Sequence, residues 1–154
     1  MTGNMGSSLF LHLHGDPLHA KAVCEAAESQ LRAVAAGLGA SCTAVMHAPL
    51  SVSGADPLPV EQDARLALCQ LCFADGSALT QPASADRIVS GLSELTTLAG
   101  VREANSHVMS REWLKAGSPD DPAAPAEAVS FFVQYDGPAE DAAAFHTYYR
   151  NHHV

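Results

Sequence analysis

Eight histidines in 154 residues give the chain its main capacity for proton chemistry near neutral pH. Two of them, His12 and His14, stand one residue apart in Phe10-Leu-His-Leu-His14. On a strand, residues at i and i+2 point to one face, so this pair presents two imidazoles side by side, as metal ligands or as the lining of a polar pocket. Leu9, Leu11 and Leu13 take the opposite face. No third ligand is evident, because His47 and His107 qualify only through the alternation of their own segments, and the spacing predicts pocket lining with no metal site. Near the C-terminus, Phe145, Tyr148, Tyr149 and His152 recur at i, i+3, i+4 and i+7 and form one helix face, flanked by His146, Arg150 and His153. Packing alone accounts for such an aromatic face. Tyr149 and His153 are nevertheless one turn apart, close enough to hydrogen-bond in a partly buried pocket where the imidazole would move a proton.

The sulfur chemistry reads differently. Cys24, Cys42, Cys69 and Cys72 have no Lys or Arg as an immediate neighbour to favour a thiolate. Cys69 and Cys72 form a C-x-x-C, but inside Leu66-Ala-Leu-Cys-Gln-Leu-Cys-Phe73, which has the composition of a strand interior; a redox or zinc pair wants a loop or helix start, and zinc would need a second pair. Small buried thiols in a reducing compartment are expected.

Charge narrows the partners. Seventeen acidic against eight basic residues give a formal charge of -9. A nucleic acid, bound mainly through phosphate neutralisation, would be repelled, and no basic patch for a membrane surface exists. The first residues lack the basic region of a signal peptide, and the apolar run after them is too short to span a bilayer. A cytoplasmic protein is expected. Hydrophobic residues at 47% and charged residues at 16% describe a chain that folds around a core.

The elements that must position these side chains follow from periodicity. Residues 9–14 alternate as a strand, and Gly15-Asp16-Pro17 breaks it and opens a helix over 18–38, with Ala20, Val23, Ala27, Leu31, Val34 and Leu38 at three- and four-residue spacing and Gly37 and Gly39 as its stop. Strands over 41–47 and 65–73 flank a Pro- and Gly-containing excursion at 49–61. A helix over 84–98 presents Ile88, Leu92, Leu95 and Leu98 and stops at Gly100, and a fourth strand spans 101–108. The order β-α-β-β-α-β predicts an α+β fold, the ferredoxin-like split βαβ module, with helices on one face of a four-stranded antiparallel sheet and the other face in need of cover.

Residues 116–128, with Gly117, three prolines and two aspartates, read as a linker. It separates a degenerate module over 1–115 from a new strand at 129–135 and a helix from about Glu140, within 129–154. Phe10-Leu-His-Leu-His-Gly-Asp-Pro17 and Phe131-Phe-Val-Gln-Tyr-Asp-Gly-Pro138 superpose with their prolines in register. Tyr135 then matches His14, as a weak repeat of one module would place it, and His12, His14 and Tyr135 are the candidate ligand-pocket residues.

The final segment, Phe132-Val-Gln-Tyr-Asp-Gly-Pro-Ala-Glu-Asp-Ala-Ala-Ala-Phe-His-Thr-Tyr-Tyr-Arg-Asn-His-His-Val154, resembles the opening of an EthD-type module of the dimeric α/β-barrel superfamily. Such modules begin with a strand ending in Tyr, a Gly/Pro turn, and a helix carrying Phe, a Tyr-Tyr or similar pair, and a His followed by Val-Pro-Leu. Tyr135, Pro138, Phe145, Tyr148, Tyr149, His153 and Val154 carry the likeness; the Pro-Leu does not follow, so an incomplete second module is expected. In the first copy the corresponding helix positions hold Ala27, Glu28 and Arg32, without the aromatic pair and His. The resemblance implies a barrel formed as a homodimer or as an intramolecular tandem, and an enzyme that oxygenates, isomerises or cyclises a small apolar organic molecule. His153 would be its acid/base and Tyr149 the partner that orients it. No cofactor is expected, although related barrels permit haem or a metal; a non-catalytic ligand-binding or dimerisation module is the alternative.

Overall fold

A computed structural model of the chain describes residues 6–49, 64–74, 76–111 and 140–152. By its contacts the chain divides into two compact units, Met1–Arg111 and Glu112–Val154.

In the first unit, β1 (Gly6–Gly15) leads through a short 3-10 turn at Pro17–His19 into α1 (Ala20–Leu38), followed by β2 (Cys42–His47), β3 (Ala64–Phe73), α2 (Ser77–Thr80), α3 (Pro82–Thr96) and β4 (Val101–Arg111). Asp16 caps the turn, its carboxylate accepting from the Leu18 backbone N–H at 3.0 Å. The four strands form one antiparallel sheet in the order β2-β3-β1-β4. β1 and β2 therefore run parallel with β3 between them, and β3 and β4 run parallel with β1 between them. Each parallel pair is bridged by a helix, as parallel strands require.

The core lies on one face of this sheet. Leu9, Leu11 and Leu13 of β1 and Ala67, Cys69, Leu71 and Phe73 of β3 pack against Val23, Ala27, Leu31, Val34 and Ala35 of α1 and Ile88, Leu92 and Leu95 of α3. The three- and four-residue spacing on both helices is what puts these side chains on one stripe. α1 and α3 also meet each other. The Gln30 side-chain amide donates to the Gly91 carbonyl at 3.3 Å, and Arg87 donates to the Gly37 carbonyl at 2.7 Å, where the last turn of α1 leaves its carbonyls unpaired. Gly91 is needed at this crossing, because a Cβ there would collide with the Val34 side chain.

Several boundaries differ from those expected. Gly37 lies inside α1; the helix stops at Gly39, whose φ of 82° only glycine adopts readily. The Pro17 turn is 3-10 and the regular helix begins at Ala20, while α3 starts at Pro82 and ends at Thr96. The short α2 has too few residues to show a period and was not foreseen. β1 and β4 are longer than their alternating segments suggest.

In the second unit, α4 (Ala142–His152) opens where the Asp141 carboxylate accepts from the Ala144 N–H at 2.9 Å. Among the described residues no helix is long and apolar enough to cross a membrane. The expected strand at 129–135, and with it Tyr135, lies outside the described residues, as does all but Pro49 of the excursion at 49–61.

Candidate functional site

The sheet face turned away from α1 and α3 carries the side chains with chemistry. Strand alternation and the cross-strand register place Ser8, Phe10, His12 and His14 of β1 there, with Leu68, Gln70 and Cys72 of β3, Thr43, Val45 and His47 of β2, and Glu103, Asn105, His107 and Met109 of β4. The part built on β1 and β3 is buried, Ser8 to 2%, His12 to 3% and Leu68 to 3% exposure.

His12 sits at the centre. Leu68 faces it across β3 and Asn105 across β4. The His14 ring lies parallel to it, centroids 6.3 Å apart, and the His107 ring meets it edge-on at 5.4 Å. A β-bulge brings in a fourth group. Strict alternation from Leu71, Cys69 and Ala67 would send Arg65 to the helix side, but between Leu13 and His14 the register shifts by one, Leu66 becomes the extra residue, and Arg65 pairs with His14. Burial above all, then the charges of Arg65, His107 and His14, lower the His12 pKa to about 4. Its imidazole is neutral at neutral pH, able to donate from one nitrogen and accept at the other.

A second set of polar groups crosses the same face. His47 Nε2 lies 3.0 Å from Gln70 Oε1, and since an amide oxygen only accepts, that nitrogen carries the hydrogen. Gln70 Nε2 donates to Ser8 Oγ at 3.0 Å, and Ser8 Oγ donates to Cys72 Sγ at 3.8 Å. The ladder runs one way, from the β2 edge to the two central strands.

Cys24, Cys42 and Cys69 are in environments that keep them protonated. Burial pushes Cys69 up to about 12 and Cys42 up to about 11, and burial with the nearby Glu25 and Glu28 raises Cys24, whose Sγ donates to the Leu66 carbonyl at 3.1 Å. Cys69 pairs with Leu11 on the helix side and Cys72 with Ser8 on the other, so the C-x-x-C cannot chelate one ion from within its strand. Among the described residues no group of three His, Cys, Asp or Glu side chains is poised to hold a metal ion.

No family model, curated protein or solved structure matches the chain. The candidate site therefore stands on its own geometry. Of the residues the sequence singles out, His12 and His14 share one face, opposite the three leucines as their alternation requires, and His107 joins them. His47 is on the same face but belongs to the Gln70 ladder. Tyr149 lies on α4 with its ring stacked on Phe145 at 6.2 Å. His153 is outside the described residues. A Tyr–His contact at i, i+4 among the described residues of α4 is between Tyr148 and His152, rings stacked at 4.2 Å, with His152 Nδ1 donating to the Tyr148 carbonyl at 2.8 Å. Arg65, Gln70 and Ser8 are the site residues the sequence did not single out. Only strand pairing and the bulge bring them to the histidines.

Proposed function

We propose that this chain is a ferredoxin-like, barrel-forming protein similar to the EthD family, whose histidine-bearing sheet face binds a small, largely apolar organic molecule. The observation that carries the reading is the setting of His12. A neutral imidazole is buried beside Phe10 and Leu68, an apolar wall with a few placed polar groups, which is the usual make-up of a small-molecule site. The strand order β2-β3-β1-β4 with a helix over each parallel pair supports the split βαβ arrangement. Two such faces brought together, in a homodimer or in a tandem within one longer chain, would close the barrel around the ligand. The likeness to the family assigns a reaction of oxygenation, isomerisation or cyclisation to the second unit by itself, with His153 as acid/base and Tyr149 orienting it, in a cytoplasmic setting, apart from the ligand that the first unit would hold at His12. The low pKa of His12 favours a second reading. An imidazole that protonates only near pH 4 is a weak base at neutrality, better suited to hydrogen-bonding a ligand than to abstracting a proton, so binding without turnover competes with catalysis.

Leu68→Trp tests the location. The larger ring stands directly across from His12 in the strand register, and binding of small aromatic molecules, followed by ligand-observed NMR with circular dichroism to verify folding, should fall at least about tenfold, the scale of a blocked contact worth about 1.4 kcal/mol. Undiminished binding in the folded variant would move the site elsewhere.

A further inference from the structure

We propose that the outer edge of β4 is a self-complementary interface, on which a second copy of this chain adds its own β4 antiparallel, centred on Asn105, with Glu103 of each copy facing His107 of the other. Among the described residues β4 has a strand neighbour on one side only, β1, and its other side offers backbone N–H and C=O groups to a new ladder. β4 is 11 residues long, against 6 for β2 at the opposite edge of the sheet. From Arg102 to Ser110 every residue except Ala104 is exposed, Val108 to 62% and Met109 to 43%. Edge strands that must stay single are usually short, bulged, or marked by proline or lysine. β4 holds neither residue, and the irregularity in its register lies at its start, opposite Gly15.

The occupant follows from the pattern of polar and charged residues along β4. A formal charge of -9 disfavours unspecific self-association, so a contact between copies needs matched groups. A two-fold axis normal to the sheet keeps the helices of both copies on one side, and residues that face each other across the new ladder then differ by an even number of positions. Centring the ladder on Glu103 or on His107 would set each of these against itself. Centring it on Asn105 sets Glu103 against the partner's His107 at two symmetric places, Val101 against the partner's Met109 and Asn105 against its own counterpart. An imidazole can donate to a carboxylate whether it is neutral or charged. Glu103 Oε1 already accepts from Asn105 Nδ2 at 2.8 Å, and a carboxylate has acceptor capacity beyond one such bond. Pairing through the edge leaves the histidine-bearing faces of the two copies side by side, so this interface is independent of the ligand reading.

Sedimentation equilibrium of the full chain should show a reversible monomer–dimer equilibrium, and cysteine scanning of β4 reads its register. Under mild oxidation Asn105→Cys should give a disulfide-linked dimer, because directly opposed Cα atoms lie about 5 Å apart, within the span of a disulfide. Met109→Cys, exposed on the same face but roughly 27 Å from its counterpart in this register, should not. The wild type, with Cys42, Cys69 and Cys72 buried, sets the background. Glu103→Lys should weaken the dimer at least about tenfold, since it places an ammonium against the partner's His107 twice. Adding His107→Glu to that variant inverts both pairs and should restore dimerisation, with circular dichroism verifying the fold of each protein. A wild type that stays monomeric at millimolar concentration, cross-linking through Met109→Cys in place of Asn105→Cys, or a dimer indifferent to Glu103→Lys overturns the proposal; a dimer joined through β2 or through the sheet faces would give the last two results.

Discussion

His12 links the sequence to the site at the scale of single residues. Its position was legible, since three leucines alternate with it and a sheet with one packed face has to put the histidines on the other. Its energetic state was not, because its burial is a tertiary property and the approach of Arg65 depends on a bulge that no periodicity announces. The lowered pKa has a consequence for stability whose sign is fixed. Above about pH 6.5 the ring is neutral whether the chain is folded or not and contributes nothing. As the pH falls from 6.5 toward 4 the unfolded chain takes up a proton that the folded one refuses, so the folded state loses up to about 3 kcal/mol across that window. Urea unfolding at a series of pH values should show this loss in the wild type and a shallower one in His12→Phe. Parallel curves would mean that His12 titrates normally. The thiols make the complementary case. The lack of basic neighbours is readable in the sequence, and burial is what raises the pKa of Cys42 and Cys69.

At the scale of elements, the strands and long helices followed from hydrophobic period, and the misreadings came where local chemistry decides. Gly37 and Gly39 look alike in sequence, but only Gly39 takes the positive φ that ends α1, and the choice between them depends on where the chain must turn into β2. α3 illustrates a contact that composition hides. Gly91 sits among Ile88, Leu92 and Leu95, and as an isolated helix residue it should be replaced by Ala with a gain of up to about 1 kcal/mol. In this fold the sign reverses, because the added methyl meets Val34 of α1. Gly91→Ala is expected to destabilise by about 1–3 kcal/mol, the cost of overpacking, and Val34→Ala in the same chain should make the second substitution far less costly. Chemical denaturation of the four members of that cycle measures the coupling; additive losses would show that the two helices do not touch there. On α4 the Tyr–His pair among the described residues is Tyr148 with His152, and His153, the expected partner of Tyr149, lies outside them.

For the molecule as a whole, the order of elements was enough to expect a four-stranded antiparallel sheet with helices on one face, because β-α-β-β-α-β leaves few ways to pair the strands and keep the connections short. The function was less legible. The likeness to a known family rests on the last 25 or so residues, whereas the candidate site is assembled from β1, β3 and β4 of the first unit, where the sequence offers only an H-x-H and two isolated histidines. Strand register, not linear spacing, makes a site of them. The function therefore turns on whether a ligand binds on the sheet face at His12. Imidazole-selective NMR on protein carrying labelled histidine, with each signal assigned by single replacement, tests it most directly. On saturation with a small aromatic ligand the signals of His12, His14 and His107 should shift together, while His19, at the turn before α1, and His146 and His152, on α4, stay where they are. Shifts confined to the α4 histidines, with the three sheet histidines unmoved, would contradict it.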